Sequence, residues 1–222
     1  MKYLYIVSIF LLFNNKVTAQ VTAFNIDSSK FNKPLMVTLD SLYQEDQSSR
    51  YSYLTAKQDK SNPAKADSLL KIMQGKDKSN LLKVTDILDK YGWLGPQKIG
   101  INASQGLFLV VQHADLATQK KYITMIRQAE KNGEILSSNL AIMEDRINIR
   151  EGREQLYGSQ RFINEKTGKA YTYPIADVDQ LDQRRKTMGM PPMKDYVKEW
   201  DVQEYKKTLP ELEQVIKERA TR

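Results

Sequence analysis

The sequence predicts an α+β fold: a mostly α-helical single domain around a buried central helix, with a C-terminal β-hairpin. Three patterns support this prediction. Apolar residues recur at helical spacing in most segments, residues 107–111 form the most apolar run beyond the N-terminus, and residues 155–173 alternate like strands about a Gly-containing loop. We expect the helical domain to cover residues 34–200, with a charged helix over residues 201–222.

The first nineteen residues have the pattern of a secretory signal peptide. Lys2 precedes an apolar run over residues 3–13, and Val17-Thr18-Ala19 is a small-residue cleavage site. This run is shorter than the roughly 20 residues that a membrane-spanning helix needs. We therefore expect cleavage after residues 1–19, a flexible arm over residues 20–33, and a soluble periplasmic or extracellular chain without membrane association after cleavage.

Composition excludes several classes of site. The chain has 222 residues and no cysteine, so disulfides and thiolate metal sites are absent, and export without cysteine fits a bacterial envelope. Lys and Arg number 34 against 27 Asp and Glu, but the two signs are interspersed except at Arg184-Arg185-Lys186. A nucleic-acid surface needs a concentrated basic stripe, so we expect no nucleic-acid partner.

Residues that cap or end helices bound the predicted helical segments. Gly75 and Gly92 are each placed to end a helix, Asn102 opens a capping box, and Asp115 is placed to cap the helix that follows it. The expected helices cover residues 35–56, 64–74, 81–91, 103–113, 116–131 and 139–150.

The pattern changes beyond residue 150. Two strands, over residues 155–163 and 169–173, are expected to flank a turn and form the hairpin. Asp177 is placed to cap a short helix that ends at Gly189. Thr208 and Glu211 have the spacing of a capping box, which predicts the start of the last helix there.

Polar side chains interrupt the apolar faces of several predicted helices. Asp46 and Arg50 continue the three- and four-residue steps of the core leucines of the first helix, and Gln119 lies within another apolar stripe. The pairs Gln112-His113 and Asp145-Arg146 also emerge from apolar surroundings. Because unpaired buried charges cost several kcal/mol, these groups must meet each other, water or a ligand. A structural network and a wet cleft are both consistent with this pattern.

Several separate motifs resemble those of an uncharacterised bacterial family, one of the numbered domains of unknown function. They are Gln112-His113-Ala114-Asp115, Gln119, Asp145-Arg146, Gln155-Leu156-Tyr157-Gly158-Ser159-Gln160, Asp46-Gln47 with Arg50, and Gly92-Trp93. Members are often exported. Ser159 stands where the family usually has threonine, and the loop after Trp93 is about one residue longer than usual. The resemblance covers roughly residues 35–198 and implies an architecture and a set of site residues, but no reaction.

His113 is the only histidine and the natural candidate for acid–base chemistry near neutral pH. Asp46, Asp115 or Asp145 is expected to orient its imidazole, although helix capping alone explains Asp115. Of these, we expect Asp145 to pair with His113 and Arg146 to pair with another carboxylate. The predicted catalytic residues are His113, Asp145 and Tyr157. The predicted ligand-binding residues are Asp46, Arg50, Gln112, Asp115, Gln119, Arg146, Gln155 and Gln160. No metal or cofactor is expected, because no zinc spacing, phosphate loop or dinucleotide fingerprint is present.

Three functions remain open from the sequence. The first is a polar pocket for a small polar or anionic ligand of the cell envelope. The second is a hydrolase or lyase that uses His113 as general acid or base, and the third is a structural or interaction protein with a buried polar network. In the first two, we expect one hydrogen-bonded network with contacts of roughly 3 Å. Its members would be His113, Gln119, Asp145, Arg146, Tyr157 and Gln160.

Overall fold

The structure is a computed structural model that describes residue 24, residues 26–59 and residues 61–220. The predicted leader over residues 1–19 lies outside this part of the chain. Ser28–Lys30 forms a 3-10 turn inside the predicted flexible arm, and the Asn32 N–H donates to the Lys98 carbonyl at 2.8 Å. The C-terminal end of the predicted arm is therefore hydrogen-bonded to the helical part of the protein.

A mostly helical fold with a small antiparallel hairpin near the C-terminus is confirmed. The described residues form nine α-helices and two strands. The helices are α1 (Lys33–Gln58), α2 (Pro63–Tyr91), α3 (Pro96–Ile99), α4 (Ile101–His113), α5 (Leu116–Lys131), α6 (Ser137–Arg150), α7 (Leu181–Thr187), α8 (Met193–Tyr196) and α9 (Val202–Ala220). The strands are β1 (Arg161–Ile163) and β2 (Ala170–Thr172). None of these helices combines the length and hydrophobicity that crossing a membrane requires.

The described residues divide into two compact units. The first unit ends at Leu136 and contains α1 to α5, and the second begins at Ser137 and contains α6 to α9 with both strands. This boundary falls inside the range of residues 34–200 that the sequence predicts as one helical domain.

Close packing of α1 against α4 organises the first unit. A Cβ atom on Gly106 would lie 2.8 Å from the Leu39 carbonyl oxygen and 2.9 Å from the Tyr43 Cβ atom, so only glycine fits between the two helices. Seven residues further along each helix, Asp46 of α1 contacts His113 of α4. The two helices therefore run in the same direction, and the contact at Gly106 sets the register that joins this pair.

Helix α2 is continuous from Pro63 to Tyr91, so the expected end at Gly75 is wrong. Glycine inside a helix costs only about 1 kcal/mol relative to alanine, which packing on both sides can outweigh. Met73 and Val84 are buried on either side of Gly75 and supply that packing. The expected end at Gly92 is confirmed: its φ is +69°, and its N–H donates to the Leu88 carbonyl at 2.9 Å.

The buried central helix is confirmed as α4, in which every residue from Gly106 to Gln112 is buried. Its expected capping box is wrong, because the helix begins at Ile101, after Gly100, and no side chain caps it. Asn102 therefore lies inside the first turn. Asp115 caps α5 as predicted, since its Oδ1 accepts from the Thr118 N–H at 2.8 Å.

The hairpin of the second unit is confirmed but shorter than predicted. Arg161 pairs with Thr172, Phe162 with Tyr171 and Ile163 with Ala170, so each strand has three residues. The expected strand over residues 155–160 is wrong, because the backbone N–H groups of this segment bond a carboxylate of α6. The hairpin packs into a core whose other members include Tyr173, Ile175, Leu181, Met193, Tyr205 and Leu212.

Two predicted caps in the second unit are also wrong. Asp177 precedes a 3-10 turn at Val178–Gln180 but has a left-handed backbone and makes no capping bond with its side chain. Helix α9 begins at Val202, where Asp201 Oδ1 accepts from the Glu204 N–H at 2.8 Å. Thr208 is therefore an interior residue of α9, because the face that buries Tyr205 extends the helix toward its N-terminus.

Candidate functional site

Asp46 is the centre of a charged group in the first unit. Its side chain is 2% exposed, and its Oδ1 lies 3.0 Å from His113 Nδ1. The Arg50 Nε donates to the same oxygen at 3.1 Å, and the Gln47 amide donates to Oδ2 at 2.8 Å. Of the three carboxylates that the sequence offers as partners of His113, the one at Nδ1 is Asp46.

The charges around Asp46 keep it ionised. Burial raises the pKa of Asp46, but the positive charges and hydrogen bonds of His113 and Arg50 outweigh burial and hold that pKa well below its ordinary value. An ionised carboxylate only accepts hydrogen bonds, so Nδ1 of His113 carries a proton. When the imidazole is neutral, its basic atom is then Nε2.

Arg50 also joins a second carboxylate, that of Asp77 on α2. The Arg50 Nη2 donates to Asp77 Oδ1 at 2.7 Å, and its Nη1 lies 3.7 Å from the Met73 sulfur. Burial raises the pKa of Asp77, with Arg50 opposing and Asp46 adding to this rise. Two carboxylates thus share one guanidinium, and their pKa values move in opposite directions.

Sequence reasoning missed Asp77 because it divided α2 at Gly75. On a continuous helix, Asp77 and Asn80 fall on one face with apolar residues at steps of three and four. That face contains Met73, Asp77, Asn80, Val84 and Leu88. The same stripe argument that identified Asp46 would therefore have identified both polar residues.

Three buried amides of the first unit have hydrogen-bonding atoms without partners among the described residues. Gln112 is fully buried, and neither polar atom of its side chain is bonded. Gln119 donates to the Gln112 carbonyl at 2.6 Å, but its own Oε1 has no partner, nor does Oδ1 of the buried Asn80. Each such atom costs about 1–3 kcal/mol unless water or a ligand satisfies it.

In the second unit, the carboxylate of Asp145 holds a loop. It is fully buried and accepts from the N–H groups of Leu156 at 2.6 Å, Tyr157 at 3.0 Å and Ser159 at 2.9 Å. Burial raises the pKa of Asp145, and these hydrogen bonds oppose the rise. The side chain thereby bonds backbone N–H groups at residues 156, 157 and 159, between the backbone bonds that Gln155 and Gln160 make with residues 173–176.

Gln155 and Gln160 complete this loop. Gln155 Nε2 donates to the carbonyls of Gln160 at 3.0 Å and Tyr173 at 2.9 Å, and its Oε1 accepts from the Gln160 N–H at 2.8 Å. The Gln160 amide nitrogen donates to Ser159 Oγ at 2.9 Å, whereas its Oε1 has no partner among the described residues. Both polar atoms of the Gln155 side chain bond backbone groups, so this residue holds the loop in place.

Arg185 is the middle residue of the basic run Arg184-Arg185-Lys186. It is fully buried, and it donates to the carbonyls of Tyr157 at 2.6 Å and Pro191 at 2.7 Å. Its guanidinium carbon lies 5.1 Å from the centre of the Tyr196 ring. The four-residue step from the buried Leu181 is the signal that predicts an inward Arg185.

The predicted site residues fall into two groups, one in each unit. Asp46, Arg50 and His113 meet in the first unit, where Gln112 and Gln119 share a bond and Asp115 is an exposed cap. In the second unit, the loop joins Asp145, Gln155, Tyr157 and Gln160, and Arg146 is buried beside them on α6. A single network that unites both groups stays a prediction. Among the described residues, no three His, Asp or Glu side chains are placed to hold a metal ion.

Comparison with known proteins gives one match. No curated protein matches the chain. No solved structure matches it either. A family described as a family of unknown function, DUF6624, matches residues 35–207, which include most of both units. This match covers well over half of the chain, and the protein therefore belongs to the DUF6624 family.

Proposed function

We propose that the first unit binds a small polar ligand through His113 and the buried amides of Gln112 and Gln119. The observation that carries this proposal is the side chain of Gln112, which is fully buried and has no hydrogen-bond partner for either polar atom in the described part of the chain. Buried polar groups in native proteins nearly always have partners. A ligand with hydroxyl or amide groups supplies both the donor and the acceptor that this side chain lacks.

The charge of the site favours a polar ligand over a strongly anionic one. Arg50 is the guanidinium of the charged group, and it is already shared by Asp46 and Asp77. With His113 protonated, two positive and two negative charges balance, and with His113 neutral the group carries one negative charge. A polyanion would find no excess positive charge here.

General acid–base catalysis by His113 is the second candidate function. A buried carboxylate at Nδ1 is the arrangement that fixes the tautomer of a catalytic histidine and stabilises its protonated form. The opposite pKa directions of Asp46 and Asp77 are a further feature of acid–base sites. A hydrolase or lyase would bind its substrate at the same amides.

We also propose that the chain is exported, so that the ligand comes from the cell envelope or its surroundings. This part of the proposal is supported by the leader pattern over residues 1–19.

A screen of small polar metabolites by thermal unfolding tests the binding proposal. A ligand that binds the native state raises the melting temperature in proportion to its affinity and concentration. We expect Gln119→Leu to lose the response to each such ligand, and Gln128→Leu, an exposed change on the same helix, to keep it. A screen without any response, or an equal response in both variants, would contradict the proposal.

A variant of His113 distinguishes catalysis from ligand binding alone. If His113 is the general base, His113→Ala loses turnover in a broad substrate screen under conditions in which it remains folded. If binding is the whole function, ligands raise the melting temperature of the wild-type chain and no substrate is turned over.

A further inference from the structure

We propose that the ligand of the first unit binds through a primary carboxamide group, held by the side-chain amides of Gln112 and Gln119. The ligand site is the one proposed above, and the carboxamide rests on that proposal. A primary carboxamide has one oxygen that accepts hydrogen bonds and one nitrogen that donates two. The two glutamine side chains present the complementary set of atoms.

The Gln119 amide contributes one acceptor to this set. Its nitrogen donates to the Gln112 carbonyl at 2.6 Å. A backbone carbonyl oxygen only accepts hydrogen bonds, so this contact fixes which end of the Gln119 amide is nitrogen and which is oxygen. The remaining Oε1 atom is buried and has no donor in the part of the chain that the structure describes.

The Gln112 amide contributes one donor and one further acceptor. Its side chain is fully buried, and neither Nε2 nor Oε1 has a partner among the described residues. Exchange of the two atoms by rotation of the amide leaves this count unchanged. Because the two atoms lie side by side, a ligand satisfies both when it places a donor next to an acceptor, as an adenine edge does when glutamine binds it.

The two amides are near enough to bind one small group. Gln119 Oε1 belongs to the same amide as the nitrogen that contacts the Gln112 carbonyl. From the bond lengths of an amide, this oxygen lies within roughly 5 Å of that carbonyl oxygen. The Gln112 side chain leaves the backbone beside the same carbonyl, so a group of a few atoms spans both amides.

Other polar groups leave part of this set unpaired. A carboxylate has no donor for the two acceptors, and an ammonium group has no acceptor for the Gln112 donor. A single hydroxyl or a secondary amide donates only once and leaves one acceptor unsatisfied. A primary carboxamide donates to both glutamine oxygens and accepts from the Gln112 nitrogen.

Thermal unfolding of the full chain with acetamide, N-methylacetamide, acetate and glycerol tests this ligand chemistry at matched ionic strength. We expect acetamide to raise the melting temperature, because it binds the native state. N-methylacetamide lacks one of the two donors and should need about tenfold or more higher concentration for the same shift. Equal shifts with these two amides, or a larger shift with acetate or glycerol, would overturn the carboxamide.

A melting temperature that acetamide does not raise would also overturn the carboxamide. The ligand site itself fails only if the wider screen of polar metabolites gives no response either, so the two proposals fail separately.

Matched variants locate the effect of acetamide. Gln112→Met removes the adjacent donor and acceptor and should abolish the shift, whereas Gln128→Leu, an exposed change on α5, should keep it. General effects of acetamide on the solvent are equal in wild type and both variants and therefore cancel. An acetamide shift of wild-type size in Gln112→Met would show that the carboxamide does not bind at Gln112.

Discussion

Asp46 shows how one residue combines the roles of core residue and site residue. Helical spacing predicts its inward direction, because steps of three and four residues place it on the face of Leu39 and Leu42. The same spacing does not select its partner. Asp46 meets His113 because the packing at Gly106 sets the register of two helices, which no local pattern contains.

The depressed pKa of Asp46 predicts a pH-dependent stability. A carboxyl group whose pKa is lower in the folded state stabilises the protein above its unfolded pKa of about 4, and this contribution disappears as the pH falls further. We expect Asp46→Asn to lower the free energy of unfolding by about 1.5–3 kcal/mol at neutral pH. The difference in the free energy of unfolding between wild type and Asp46→Asn should shrink as the pH falls below about 4.

Denaturant unfolding at a series of pH values measures this effect. Asp67→Asn, which changes an exposed carboxyl group of α2, is the matched control and should change the free energy of unfolding only slightly. A deficit of Asp46→Asn that stays constant or grows toward acid pH would show that the charge of Asp46 does not stabilise the fold.

Whole elements show why the sequence predicted some boundaries and not others. The predicted bounds of the helix at residues 116–131 are correct to the residue, because a capping residue, an apolar stripe and an Asn-Gly stop all indicate the same segment. The predicted strand at residues 155–160 does not form, because Asp145, ten residues before Gln155, accepts hydrogen bonds from N–H groups that would otherwise pair with a neighbouring strand. A tertiary contact of this kind has no signature in the segment itself.

Two helical glycines illustrate the same difference between local and tertiary effects. Gly75 has open space around the position of a Cβ atom, whereas Gly106 faces the backbone of α1. We expect Gly75→Ala to raise the free energy of unfolding by up to about 1 kcal/mol, which is the helix preference of alanine. We expect Gly106→Ala to lower it by about 1–3 kcal/mol, because α1 and α4 must separate.

Denaturant unfolding of the two variants side by side checks this prediction. Gly106→Ala should also weaken the response to any ligand of the first unit, because the separation moves His113 away from Asp46. A stabilising effect of both substitutions would show that α1 and α4 do not need the close contact.

At the scale of the whole molecule, the mostly helical fold with a small hairpin is confirmed, and the structure divides the described residues into two compact units that the sequence did not indicate. The Asn132-Gly133 stop before α6 looks like any other helix end, and nothing in composition distinguishes the residues on its two sides. Compact units are defined by which helices pack together, and that depends on contacts between distant segments. The buried polar residues were predictable, whereas their distribution between two units was not.

The proposed export of the chain has a direct test. When the chain is produced with its leader in a bacterial host, we expect a mature protein that begins at Gln20 and is recovered outside the cytoplasm. Intact-mass spectrometry of the purified chain measures the cleavage site. A recovered protein that keeps residues 1–19 would contradict both the leader and an envelope ligand.

In the proposed site, the first unit keeps a buried amide for a ligand rather than for the fold. Gln112 and Gln155 are both fully buried, but the Gln155 amide bonds backbone groups and the Gln112 amide bonds none of the described residues. A methionine of similar size removes the polar atoms from either position. If the amide of Gln112 serves only the fold, both substitutions should change the free energy of unfolding in the same direction.

The free energy of unfolding of ligand-free Gln112→Met is therefore the most direct test. Removal of an unsatisfied buried amide should raise this free energy by about 1–3 kcal/mol, and Gln155→Met should lower it by a similar amount. A loss of stability in Gln112→Met comparable to that in Gln155→Met would show that Gln112 is a structural residue and would contradict the ligand site.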